Sequence, residues 1–171
     1  MLAFDKLNTM RICMENNIPC PFTILAEKED DIDFDSIKYP VVVKPRSACG
    51  SIGFHIAEDE KQLRVLIKDN SHGLLLIQEY IPQTGRQYNA HFVLDEQSNV
   101  KTAICTQKCR WFPIDGGAST LCRTVDNDYI LFICEKLLKT IGWIGYCDLD
   151  LMEDPRDGSI RIIEINARIS A

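Results

Sequence analysis

The spacing of apolar and polar residues along the chain predicts three helices and a larger number of short strands. Helical spacing predicts helices over Phe4–Asn16, from Asp59 onward with Gln62 in a variant of the capping box, and over Asn127–Ile141. The third helix carries one apolar stripe: Ile130, Cys134, Leu137, Leu138 and Ile141. Short apolar or alternating runs predict strands: Val41–Lys44, Phe54–Ala57, Leu74–Glu79, Tyr88–Leu94, Val100–Cys109, Ser119–Thr124, Gly145–Met152 and Ser159–Ile165.

The order of these elements favours the α+β class. Strands outnumber helices, and the turn residues Asp154–Gly158 join the last two strands as a hairpin. We expect Gly145–Met152 and Ser159–Ile165 to pair antiparallel. We also expect Val41–Lys44 and Leu74–Glu79 to lie in one sheet.

Length, charge and cysteine spacing argue against several classes of function. The chain has 171 residues, which is the length of one domain, and its net charge is −6. This charge argues against a nucleic-acid partner. No apolar stretch is long enough to span a membrane and the N-terminus does not resemble a signal peptide, so no membrane partner and a cytoplasmic location are expected. The eight cysteines form no Cys-x-x-Cys pair, which argues against zinc and favours reduced, buried thiols.

Lys44 ends an apolar strand, where an ammonium group needs a partner. It is either a lysine that reaches solvent along its aliphatic stem or a phosphate ligand. The loop Ser47–Gly53 follows, with hydroxyls and backbone N–H groups that suit phosphate. It lacks the Gly-Lys-Ser/Thr of a Walker A loop, and a plain hairpin loop is the alternative.

The last strand carries a polar face. Period two places Glu164, Asn166 and Arg168 on one side, with Ile163 and Ile165 on the other. Asp148 and Asp150 follow the same period on the preceding strand, so a hairpin brings these acids together. Like charges repel across strands, which predicts a positive group between them. The alternatives are a solvated edge face and an oxygen-only site for Mg²⁺ or Mn²⁺.

The ordered set of motifs resembles the ATP-grasp superfamily, and most of all the carbamoyl-phosphate-synthase large subunit and its carboxylate–amine ligase relatives. The motifs run the length of the chain: Asp5-Lys6, Tyr39-Pro-Val-Val-Val-Lys-Pro45, the small-residue loop, Gln78-Glu-Tyr-Ile81, Gly116-Gly-Ala-Ser-Thr120 and Ile163-Glu-Ile-Asn-Ala-Arg168. On its own, Glu79 would be an ordinary exposed acid.

The resemblance implies a role for each matching residue. ATP-binding residues would be Lys6, Lys44, Ser51, Gly53, Glu79, Tyr80 and Ile81, with the last three at the hinge that contacts adenine. Metal ligands would be Asp150, Glu164 and Asn166, and the catalytic residue Arg168 would steady the transferred phosphoryl group. Either Lys108 or Arg110 would add a phosphate contact.

The resemblance also implies the architecture and the reaction. We expect an ATP-grasp fold with a nucleotide-binding lobe near residues 39–82, a metal-carrying lobe near 83–171 and ATP between them. ATP and Mg²⁺ or Mn²⁺ would activate a carboxylate or bicarbonate as an acylphosphate for attack by an amine or other nucleophile. The family's N-terminal subdomain is missing, so it or a partner chain is an expected partner. The alternatives are a non-catalytic nucleotide-binding or assembly module and a domain whose acids are merely on the surface.

Overall fold

The computed structural model describes residues 5–27, 29–46, 53–70, 73–112 and 118–168. Its α-helices are Lys6–Glu15 (α1), Glu60–Lys68 (α2) and Asp128–Thr140 (α3). Its strands are Thr23–Ala26 (β1), Val41–Pro45 (β2), His55–Ala57 (β3), Leu75–Glu79 (β4), Gln87–Leu94 (β5), Val100–Phe112 (β6), Ala118–Thr124 (β7), Gly145–Glu153 (β8) and Ile160–Asn166 (β9). None of the described helices combines the length and apolar character that crossing a bilayer requires. The predicted α+β class is confirmed.

The chain divides into two compact units, Met1–Arg11 with Pro21–Ile81 and Ile12–Cys20 with Pro82–Ala171. The first unit contains a sheet with strand order β1-β4-β2-β3. Strands β2 and β4 pair antiparallel, which confirms the predicted shared sheet. The sequence patterns did not predict β1, a four-residue edge strand that follows two prolines.

The valines of β2 anchor the core of the first unit. Val41 and Val43 are 3% and 1% exposed and pack with Ala57, Leu63 and Ile77. Helix α2, which carries Leu63, begins as predicted.

Capping bonds fix that start. Asp59 Oδ1 accepts a hydrogen bond from the Gln62 backbone N–H at 2.8 Å. The Gln62 side chain in turn accepts from the Glu58 backbone N–H at 3.1 Å, so the predicted capping-box variant reaches one residue further back than usual.

The second unit is a sheet with strand order β7-β6-β5-β8-β9, and α3 packs against β5 and β6. The pairing of β8 with β9 is antiparallel, as predicted. On the apolar face Phe92, Leu149 and Leu151 are at most 1% exposed. Helix α3 is buried along its predicted stripe except at Ile141, which is half-buried and lies just beyond the helix.

A bulge in β9 corrects the predicted alternation of that strand. Asp150 lies opposite Glu164, but Leu151 lies opposite Ile162, so Ile163 is an extra residue without a register partner. The buried residue is therefore Ile162, at 0% exposure, rather than Ile163. Across the bulge, the side chains of β9 change the face of the sheet on which they lie. Glu164 and Asn166 lie on the same face as Asp148 and Asp150, as expected.

The turn before β5 packs closely against the end of β8. A Cβ atom added at Gly85 would lie 2.0 Å from the Glu153 carbonyl oxygen and 3.3 Å from Pro155 Cδ. The adjoining backbone is fixed by a bond from the Glu153 N–H to the Arg86 carbonyl at 2.8 Å. The Glu153 carbonyl and the Pro155 ring cannot move aside as the end of a long side chain could.

We therefore expect Gly85→Ala to destabilise the second unit by about 1–3 kcal/mol, the usual cost of overpacking. Urea unfolding followed by circular dichroism measures this loss. The matched control is Thr84→Ala, which trims an exposed side chain in the same turn. Equal unfolding midpoints for the two variants would contradict the close contact.

Candidate functional site

The face of the second sheet opposite α3 carries a row of polar side chains. Strand register places them side by side on adjacent strands: Thr106 and Lys108 on β6, Asn89 and His91 on β5, Asp148 and Asp150 on β8, Glu164 and Asn166 on β9. Because side chains alternate along a strand, the same strands present the apolar core on their other face.

Asp150 is the centre of this row. Its Oδ1 accepts hydrogen bonds from Lys108 Nζ at 2.5 Å and from Asn89 Nδ2 at 2.8 Å. Its Oδ2 accepts one from Asn166 Nδ2 at 2.9 Å. Lys108 reaches across β5 to form an ion pair with Asp150. It approaches from β6, so the positive group predicted between the acids of β8 and β9 stays a prediction.

Asp148 is fully buried. Burial raises the pKa of its carboxyl to about 7, and the nearby charge of Asp150 adds to this shift. A hydrogen bond from Asn89 and the positive charges of Lys108 and Arg168 act in the opposite direction. The carboxyl thus holds a proton at mildly acidic pH.

His91 lies beside that carboxyl. Its Nδ1 is 3.4 Å from Asp148 Oδ1 and 3.0 Å from the Tyr146 hydroxyl. Burial lowers the pKa of the His91 imidazole. Both shifts favour the neutral forms, so the contact between His91 and Asp148 is not that of two fully charged groups.

Glu164 and Asn166 complete the oxygen groups of the row. Glu164 is half-buried and has no hydrogen-bond or ion-pair partner within the described part of the chain. Arg168 follows the strand and is exposed.

A hard cation fits this donor set, which offers carboxylate and amide oxygens. The described residues contain no group of three or more His, Cys, Asp and Glu side chains that could hold a metal. An ion placed here would thus need the amide of Asn166 beside Asp150 and Glu164.

Two lysines of the first unit were predicted to bind ATP. Lys44 lies near the end of β2, half-buried, and its Nζ donates to Gln78 Oε1 at 2.8 Å. Gln78 is oriented from its other end by a 2.7 Å bond to Thr23 Oγ1, so the ammonium position is defined by two strands. Lys6 lies at the start of α1.

The other predicted ATP-binding residues lie at β4 and at the glycine loop. Glu79 ends β4, and its backbone N–H donates to the Phe22 carbonyl at 2.8 Å. Tyr80 is half-buried and Ile81 is buried. Gly53 has a φ of 71°, a conformation that favours glycine, and Ser51 lies outside the described residues.

Sequence reasoning missed two amide side chains. Asn89 contacts both β8 acids, and Gln78 orients Lys44. Each is a polar residue inside a buried strand, at 7% and 5% exposure, and that break in the apolar pattern is the signal that could have identified them.

The raised pKa of Asp148 predicts a pH-dependent stability. Its folded value of about 7 exceeds the ordinary 3.8, so the folded chain binds the proton more tightly than the unfolded chain. Stability should then fall as pH rises from about 4 to about 7, by at most about 1.4 kcal/mol per pH unit. Urea unfolding across this range should show a flatter profile for Asp148→Asn. The exposed Asp126 supplies the control, since Asp126→Asn should keep the slope of the parent chain.

A family model described as an ATP-grasp domain matches residues 3–171. The D-alanine–D-alanine ligase of Rickettsia typhi is 27% identical over 96% of this chain and 54% of its own. The carbamoyl phosphate synthase large chain of Saccharolobus islandicus is 26% identical over 98% of this chain and 17% of its own.

Solved structures share the fold. The D-alanine–D-alanine ligase of Bacillus anthracis matches with a TM-score of 0.72 at 21% identity, over 99% of this chain and 58% of that one. The L-amino acid ligase of Bacillus licheniformis matches with a TM-score of 0.74 at 18% identity, over 99% and 41%. The chain spans about half the length of the D-alanine–D-alanine ligases it matches. With a family model that covers nearly all of its residues, the chain belongs to the ATP-grasp domain family.

Proposed function

We propose that this chain is the ATP-binding domain of an ATP-dependent ligase. The ligase activates a carboxylate or bicarbonate as an acylphosphate, which an amine or another nucleophile then attacks. The observation that carries the proposal is the pair of acids Asp150 and Glu164, opposite each other on neighbouring strands with Asn166 beside them. Relatives named D-alanine–D-alanine ligase and L-amino acid ligase support the reaction class.

The acids would hold a divalent cation. Asp150, Glu164 and Asn166 supply oxygen atoms only, which is the ligand set that Mg²⁺ and Mn²⁺ prefer. When bound with ATP, such an ion neutralises the charge on the phosphate oxygens and orients them. The role of the protein is to hold these oxygens in place, and Arg168 follows the same strand with a positive charge for the transferred phosphoryl group.

The first unit would hold the nucleotide. Lys44 would donate to a phosphate oxygen, with Gln78 as the neutral group that keeps its ammonium in position. Lys6, Ser51 and Gly53 would add phosphate contacts. Glu79, Tyr80 and Ile81 would contact adenine through their backbone groups. No side chain needs to act as a covalent nucleophile, because positioning and charge neutralisation account for phosphoryl transfer.

Removing the Lys44 ammonium should weaken nucleotide binding. We expect Lys44→Ala to lower the affinity for Mg-ATP by about 1–3 kcal/mol, the range for a charged hydrogen bond. Isothermal titration calorimetry measures this, with thermal unfolding as a check on folding. Lys38→Ala removes an exposed lysine from the same unit and should leave the affinity unchanged. An unchanged affinity in Lys44→Ala would reject the phosphate contact.

Glu164 tests whether the domain takes part in catalysis. Glu164→Gln keeps the shape of the side chain but removes the negative charge of a cation ligand, so ADP release should fall by about a hundredfold or more while folding stability changes little. The assay uses a form of the protein that includes the N-terminal region of the relatives, with a panel of carboxylic acids and amines. Glu96→Gln alters an exposed acid and is the control. Binding of Mg-ATP without ADP release for any acid would instead favour a non-catalytic nucleotide-binding module.

A further inference from the structure

Lys108 forms a close ion pair with Asp150, one of the three proposed cation ligands. Its ammonium lies 2.5 Å from Asp150 Oδ1, and the two side chains are only 18% and 24% exposed. The residues come from β6 and β8, which are separated in the sheet by β5. The lysine therefore crosses a whole strand to reach this acid.

The hydrogen bonds of Asp150 differ between its two carboxylate oxygens. A carboxylate oxygen offers two lone pairs, and those of Oδ1 are taken by Lys108 and Asn89. Oδ2 already accepts from Asn166. By the same count Oδ2 keeps one lone pair, so a cation held with Asn166 and Glu164 can bind Oδ2 while the nearby ammonium repels it.

We propose that Lys108 is a built-in counter-ion for Asp150, whose charge lowers the affinity of the site for a divalent cation until a phosphate-bearing ligand draws the ammonium away. This inference rests on the proposed function, which places the cation at Asp150, Glu164 and Asn166. In the absence of nucleotide, Lys108 keeps the metal affinity low, because its positive charge repels the ion and competes with it for the charge of Asp150.

A nucleotide changes that balance. Its phosphates offer the Lys108 ammonium a second anionic partner, so the lysine can leave Asp150 for a phosphate oxygen. The ammonium then no longer opposes the metal ion at Asp150. Lys108 thereby makes binding of the metal depend on the presence of a phosphate-bearing ligand.

Mn²⁺ titration followed by electron paramagnetic resonance tests this. Without nucleotide, Lys108→Met should bind Mn²⁺ about tenfold more tightly than the parent chain, since the competing charge is gone. With ATP present the order should reverse, and Lys108→Met should bind Mn-ATP about tenfold more weakly. Lys108→Arg keeps the charge and should retain the weak binding of Mn²⁺ alone.

The same strand offers a matched control. Lys101 also lies on β6 and pairs with an aspartate, Asp95, at 2.9 Å, but its side chain is 62% exposed. Lys101→Met should leave both affinities unchanged. Adding Glu164→Gln to Lys108→Met should abolish the gain in Mn²⁺ affinity, which locates the ion at the proposed ligands.

The outcomes separate this inference from the proposed function. If the parent chain binds Mn-ATP but Lys108→Met binds Mn²⁺ alone no more tightly than the parent, the counter-ion role is overturned and the proposed function stands. If the parent chain binds no Mn-ATP, the proposed function fails and the counter-ion role fails with it. Circular dichroism of each variant establishes that it is folded before the comparison is made.

Discussion

Repulsion between two carboxylates governs the arrangement of the second unit. Asp150 and Glu164 are direct partners on antiparallel strands, where like charges destabilise the pairing. Lys108, from two strands away, offsets part of this repulsion through its ion pair with Asp150. Two neutral amides, Asn89 and Asn166, then fix the direction in which the Asp150 carboxylate points. The polar face is thus organised around one charge that has to be neutralised.

The third acid on this face, Asp148, is also relieved of its negative charge. Asp148 lies on this face next to Asp150, and a third negative charge would add to the repulsion. Its pKa of about 7, raised by burial and by the charge of Asp150, allows the carboxyl to stay protonated in mildly acidic solution. His91, whose pKa burial lowers, contributes no compensating charge. Neutralisation therefore rests on Lys108 for Asp150 and on a bound proton for Asp148.

Sequence alone predicted the regular parts of this arrangement and missed the long-range ones. The β8–β9 hairpin follows from alternation and turn residues, which are local signals. The bulge does not, because Ile162 and Ile163 are chemically identical and only cross-strand packing decides which one is buried. The contact of Lys108 with Asp150 spans 42 residues and an intervening strand, so no spacing rule could identify the partner.

The acids also distinguish two ways of binding a nucleotide. Ammonium groups and backbone N–H groups suffice to hold phosphate, and carboxylates nearby oppose it by charge repulsion. A module that only bound the anion would do so better with neutral residues in place of Asp150 and Glu164. The two acids favour a phosphate-bearing ligand only if a divalent cation lies between them and the phosphates. Under the proposed function, their opposition across β8 and β9 is therefore the feature that would separate metal-dependent phosphoryl chemistry from simple anion binding.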